Sequence, residues 1–293
     1  MPYDFLHRLP HPETNETACT WLAPGAKPLA PASDREALCC AGAWENGYLL
    51  AVVYADAPCQ VALLTGAAPD TLTPAKLLEI GTPVTRVSLL QRQGRMLLAV
   101  AAGQLHILTL EGQAVASLNA PADAALSVVG EDCLLTAGAT ITLLDDAWQP
   151  VESVAVCVST TDADRDHFNT RRDALALEGR TVPGDHGSLF AYGNKVYYAS
   201  RDDFFRCHMA NSDTFLCEAD SWRGPWSRRY LAIPNGGSAC FFTSSEGTLY
   251  AAMVGAAPHS AVPRKAALLP MEAVEDGFLR PSRQVITETL PGA

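Results

Sequence analysis

The chain has 293 residues, 48% hydrophobic and 18% charged, with a formal net charge of −11. That balance supplies a substantial buried core and excludes a disordered chain. The acidic residues are scattered and Lys/Arg form no block. Such a surface repels phosphate backbones and excludes nucleic acid as a partner, while a neutral sugar would be indifferent to the field.

The opening Met1-Pro-Tyr-Asp-Phe-Leu-His-Arg-Leu-Pro10 has no basic start followed by an apolar stretch, so it does not read as a secretory signal. No apolar run approaches the roughly 20 residues that span a bilayer. The nine cysteines are odd in number, lack CxxC pairs and mostly sit beside apolar residues, the pattern of buried free thiols in a reducing compartment. These features predict a cytoplasmic protein with no membrane partner. Residues 1–34, rich in Pro, Ala and Thr, read as an extension that packs on or closes a single domain over 35–293.

Within that domain short apolar runs recur after a turn residue. Gly47 leads Tyr48-Leu-Leu-Ala-Val-Val-Tyr54, Gly94 precedes Met96-Leu-Leu-Ala-Val100, and Gly130-Glu-Asp132 precedes Cys133-Leu-Leu135. Gly193-Asn194 then turns into Lys195-Val-Tyr-Tyr-Ala199, and Gly247 into Thr248-Leu-Tyr-Ala-Ala-Met253. Apolar segment, Gly/Asn/Asp turn and apolar segment mark a β-hairpin. A third strand follows in three cases: Gln60–Leu64, Leu105–Leu110 and Thr140–Leu144. The spacing is a ragged period of about 50 residues, and repeats of that size with four strands each suit propeller blades. The charged segment from Asp162 to Glu178 interrupts the spacing and reads as an insertion or blade connection. Periodicity alone leaves a two-sheet sandwich open.

The last third narrows the choice. Trp222-Arg-Gly-Pro-Trp226, Pro234-Asn-Gly-Gly-Ser-Ala-Cys-Phe-Phe242, Glu246-Gly-Thr-Leu-Tyr250, Arg264-Lys-Ala-Ala-Leu-Leu-Pro270 and Asp276-Gly-Phe-Leu-Arg-Pro281 follow in that order. Together they resemble the closing blades of family 43 glycoside hydrolases, most clearly over residues 183–285. Pro121-Ala-Asp123 through Glu131-Asp132 resembles the family's third-blade phrase, and the first two blades match in rhythm. The resemblance implies an all-β, five-bladed β-propeller that hydrolyses terminal arabinofuranosyl or xylosyl residues of a small oligosaccharide with inversion. Such chemistry pairs an acid at the leaving oxygen with a base that activates water on the opposite face, and a nearby third carboxylate keeps the acid protonated.

Carried over position by position, the resemblance makes Asp123 the orienting carboxylate and Asp185, in Asp185-His186-Gly187, the acid. Asp185 is a methylene shorter than the family's Glu. The base is the poorest match: counting back from Gly47 lands near Cys39 instead of an Asp, and Asp34 is the nearest carboxylate upstream. Trp44, His186, Asn235 and Arg264 are the candidates for substrate binding. The family's fifth-blade His, which stands near a central ion, is replaced by Asn235-Gly-Gly-Ser238. No cofactor is required, and a metal ion is left without support.

Each residue also has a plainer reading. Asp123 and Asp185 both follow turn phrases, where Asp caps local N–H groups. Asp34 lies in the solvated cluster Ser33-Asp-Arg-Glu36. Trp44, Phe204, Phe205 and Trp222 are of the right type to stack on a sugar face, although most aromatics in a propeller pack between blades. Cys207-His208 with Cys217 fits no zinc spacing. Gly236-Gly237-Ser238 is no nucleophile elbow, because Cys240 stands where glycine is required. The rival to an enzyme is a catalytically degenerate propeller that binds a glycan or a protein.

Overall fold

A computed structural model describes residues 27–28, 36–68, 71–158, 185–202, 213–233, 236–255, 265–274 and 277–282. All of its named elements are β-strands, in five antiparallel sheets, and the fold is an all-β, five-bladed β-propeller. The chain divides into two compact units, residues 1–81 with 203–214 and 232–293, and residues 82–202 with 215–231.

In the first unit, β2 (Glu36–Trp44), β3 (Gly47–Tyr54), β4 (Gln60–Gly66) and β5 (Thr73–Glu79) form blade one in sequence order. Blade five contains β18 (Cys240–Thr243), β19 (Leu249–Gly255) and β20 (Lys265–Ala273). The short β1 (Lys27–Pro28) and β21 (Leu279–Pro281) both pair with β20, so the N-terminal region contributes a strand to the last sheet. Blades one and five pack face to face through Cys39, Ala41, Leu50, Val52 and Leu64 against Ala252, Ala266 and Leu268.

The second unit holds blade two, with β6 (Arg86–Arg92), β7 (Arg95–Ala102), β8 (Gln104–Thr109) and β9 (Ala114–Leu118). Blade three follows as β10 (Ala125–Val129), β11 (Asp132–Ala137), β12 (Thr140–Leu144) and β13 (Pro150–Ala155). Blade four is β14 (Asp185–Tyr192), β15 (Lys195–Asp202), β16 (Asp213–Ala219) and β17 (Ser227–Ile233). Alternation along each strand sends one set of side chains to each neighbouring blade. Leu90, Leu97, Ala99 and Ile107 meet Leu126, Cys133 and Trp148, and Leu134, Ile141 and Val156 meet Leu189, Tyr198 and Trp226. Each fully buried Leu, Ile or Val there contributes about 1.5–3 kcal/mol. The outermost strands β5, β9 and β13 are largely exposed, and their Leu77, Val115 and Val151 face water.

The first strands of blades two, three and four lie side by side. Two buried serines join them: Ser88 Oγ accepts the Leu126 N–H at 3.1 Å, and Ser127 Oγ accepts the Leu189 N–H at 3.1 Å. These bonds fix the register between neighbouring blades. Ser127 lies four residues after Asp123 and Leu189 four after Asp185, so the two aspartates begin adjacent strands at the same end.

One turn recurs. In Thr109–Gln113, Asp145–Gln149 and Ser244–Thr248 the first residue's N–H donates to the fifth carbonyl, and the fourth N–H returns to the first carbonyl. The side-chain oxygen of the first residue accepts the fifth N–H at 3.3, 2.7 and 3.2 Å respectively. The fourth position is left-handed, which explains Gly112 and Gly247. Trp148 holds the same position at φ 62°, with the Arg92 guanidinium 4.3 Å above its ring.

Candidate active site

Asp123 sits in a turn closed by the Ala124 N–H on the Pro121 carbonyl, two residues ahead of β10. It is half-buried, and its Oδ2 accepts the Gly138 N–H at 2.9 Å. The Gly138 carbonyl in turn accepts the Tyr198 hydroxyl at 2.6 Å. Burial drives the Tyr198 phenol far above its ordinary range; Cys217 and Asp123 push it the same way and Arg86 opposes them. The hydroxyl therefore stays a donor.

The start of β14 is irregular. Asp185 pairs with Arg201 and Ser188 with Ala199, so His186 and Gly187 together face the single residue Ser200. This is a β-bulge, and His186 takes the left-handed conformation at φ 56° that glycine usually fills. The Gly187 carbonyl accepts the Thr136 hydroxyl at 2.7 Å and Arg86 Nη2 at 3.2 Å. A side chain at Gly187 would put its Cβ 2.5 Å from the Tyr198 hydroxyl and 2.7 Å from the Gly138 carbonyl oxygen. Two hydrogen-bonded sets, Asp123–Gly138–Tyr198 and Gly187–Thr136–Arg86, thus meet where Gly187 abuts Tyr198, at the head of β14.

Of the sequence candidates, Asp123 stands two residues ahead of β10, and Asp185 and His186 open the neighbouring β14. Thr85 directly precedes β6, and its hydroxyl donates to the Ala122 carbonyl at 2.6 Å. Asp34, Asn235, Arg264, Phe204 and Phe205 lie outside the described residues. The counting that reached Cys39 is corrected by the strand itself: β2 begins at Glu36, and Cys39 is its buried fourth residue. Trp44 ends β2 at the hairpin, eight residues and about 26 Å along the strand from its start.

Trp222 is buried, donates its indole N–H to Asp132 Oδ2 at 2.7 Å and carries the Arg223 guanidinium 4.0 Å above its ring, so it is a packing residue. The seven described cysteines are free thiols, and among the described residues no three His, Cys, Asp or Glu gather to hold a metal ion. No helix among the described residues is long and apolar enough to cross a membrane. Arg86, Thr136 and Tyr198 escaped the sequence reading. The one signal was a charged residue opening the β-prone run Arg86-Val-Ser-Leu-Leu90.

No family model matches the sequence, and no curated protein matches it. Solved structures do share its fold. A bifunctional GH43-CE protein from Bacteroides eggerthii is 15% identical with a TM-score of 0.64, over 88% of this chain and 36% of that one. A xylan β-1,4-xylosidase from Bacillus halodurans C-125 is 12% identical with a TM-score of 0.61, over 87% and 56%. A GH43 β-xylosidase/α-arabinofuranosidase from a compost microbial metagenome, solved with xylotriose, is 10% identical with a TM-score of 0.62, over 88% and 97%. The chain spans between about a third and just over half of the first two proteins. It has the five-bladed fold of family 43 glycoside hydrolases.

Proposed function

We propose that the protein is a glycoside hydrolase acting on terminal arabinofuranosyl or xylosyl residues of small oligosaccharides, by inversion. The observation that carries the reading is the pairing of Asp123 and Asp185 at the same end of two adjacent inner strands, on a fold shared with GH43 enzymes. In the reaction Asp185 gives its proton to the glycosidic oxygen as the bond to the anomeric carbon breaks. Water attacks that carbon from the opposite face and passes a proton to a carboxylate base, for which Asp34 is the candidate. Asp123 orients the acid and, by like-charge repulsion, favours its protonated form. His186, Asn235 and Arg264 bind sugar hydroxyls. A cytoplasmic enzyme of this kind would act on imported fragments.

A second reading is a propeller that binds a glycan or protein without cutting. It is favoured by the Asp123 carboxylate, one oxygen of which serves the Gly138 N–H as an ordinary turn cap would. Release of nitrophenol from aryl α-L-arabinofuranosides and β-D-xylosides separates the two, with wild type beside Asp185→Asn. Turnover that collapses in the variant supports the hydrolase and its acid. Folded wild-type protein that releases nothing moves the assignment to the binding propeller.

A further inference from the structure

Two donors from two other strands converge on one backbone oxygen of the bulge. Thr136 is wholly buried in β11, and its hydroxyl lies 2.7 Å from the Gly187 oxygen, with the Ala125 oxygen alongside at 3.2 Å. Arg86 opens β6, is 6% exposed, and reaches the same oxygen from 101 residues away. With so little surface, both side chains act through what they hold. Burying a guanidinium is costly unless it is hydrogen-bonded, and the Gly187 oxygen takes one of its bonds.

The held peptide follows a histidine in a conformation that a non-glycine residue adopts at a cost. A bulge re-aims the side chains at the end of its strand, because one extra residue breaks the alternation. At β14 the extra residue falls at His186–Gly187, directly after Asp185. Without the clamp on Gly187, the segment would relax toward regular pairing and turn His186 to the other face.

We propose that Arg86 and Thr136 are positioning residues that lock the His186–Gly187 bulge and thereby aim Asp185 and His186 at the sugar. For its substrate the inference rests on the glycosidase reading above. The test uses Thr136→Val, which keeps the shape and removes the donor, beside Thr136→Ser, which keeps the donor; Arg86→Met and Arg86→Lys form a second pair. Amide hydrogen exchange over residues 185–192 reads the bulge, and kcat and KM on the aryl glycosides read its consequence.

In Thr136→Val, exchange across residues 186–189 should rise about tenfold while the other blades keep their protection. In the same variant kcat should fall about 10- to 100-fold with KM within about twofold, the pattern of a misplaced catalytic group. Thr136→Ser should restore both. Unchanged exchange at 186–189 overturns the inference, as does a kcat loss that only tracks the folded fraction. Failure of Thr136→Ser to rescue does the same. If Arg86→Met does not fold, the Thr136 pair decides alone. Wild-type protein without turnover, whose bulge still loosens in Thr136→Val, overturns the glycosidase reading and leaves the clamp standing.

Discussion

One oxygen of Asp123 is already bound by the Gly138 N–H, so its two roles can be separated by substitution. Asp123→Asn keeps an acceptor oxygen and removes the charge; Asp123→Ala removes both. Urea denaturation should show Asp123→Ala destabilised by about 1 kcal/mol and Asp123→Asn by clearly less. If the charge also tunes the acid, Asp123→Asn lowers kcat while keeping that stability; equal activity in wild type and Asn variant would reduce Asp123 to a cap. Gly187 has no such latitude. Its missing Cβ would collide with the Tyr198 ring and the Gly138 carbonyl, both held by their own bond, so Gly187→Ala should cost about 1–3 kcal/mol by the same measurement.

At the scale of the element, the recurring five-residue turn shows how side chain and backbone divide the work. Thr109, Asp145 and Ser244 supply an oxygen to the closing N–H, and the fourth residue supplies a left-handed backbone. Nothing lies within 4 Å of a Cβ at Gly247, so a substitution there meets only the conformational penalty. Gly247→Ala should destabilise by about 1 kcal/mol and Gly247→Asn by less, since Asn tolerates that region. Equal midpoints for the two variants would show that the turn has another conformation open to it. Left-handed glycines in turns are written in the sequence, which is why the hairpins at Gly94, Gly193 and Gly247 were legible; at Gly47 the left-handed residue is Glu45 and the glycine opens β3 itself. The bulge in β14 was not legible, because its left-handed residue is a histidine and its clamp comes from other blades.

At the scale of the whole molecule, the apolar packing between blades sets how the fold responds to pH. Burial is the main cause pushing the Tyr197 phenol up to about 12, with the Glu218 carboxylate adding to it. Tyr48 is pushed up to about 12, again chiefly by burial, with Tyr250 and Glu246 adding. Both phenols release a proton more readily in the unfolded chain, near pH 10. Between about pH 10 and 12 the unfolded state therefore binds fewer protons than the native one, and stability falls as pH rises through that window. Below pH 10 the contribution is fully present. Denaturant midpoints measured at pH 9 and 11 should drop at the higher pH, and Tyr197→Phe should lessen the drop; an equal drop in the variant would remove Tyr197 as a cause.

The family likeness made a five-bladed propeller of the chain, and the sequence by itself determined its five inner hairpins. Those depend on neighbours a few residues apart: an apolar run, a turn residue, another run. The phrases around Trp222–Trp226 and Phe241–Phe242 carried the family likeness, and Asp123 and Asp185 were found by their distance from such phrases. Only the tertiary structure decided that β2 starts ahead of Cys39, that Ser127 sets Asp123 beside Asp185, and that Arg86 and Thr136 meet at Gly187. Those contacts join residues 51 to 101 positions apart. No local pattern encodes them, because they exist only once separate blades have packed and their inner strands lie in register.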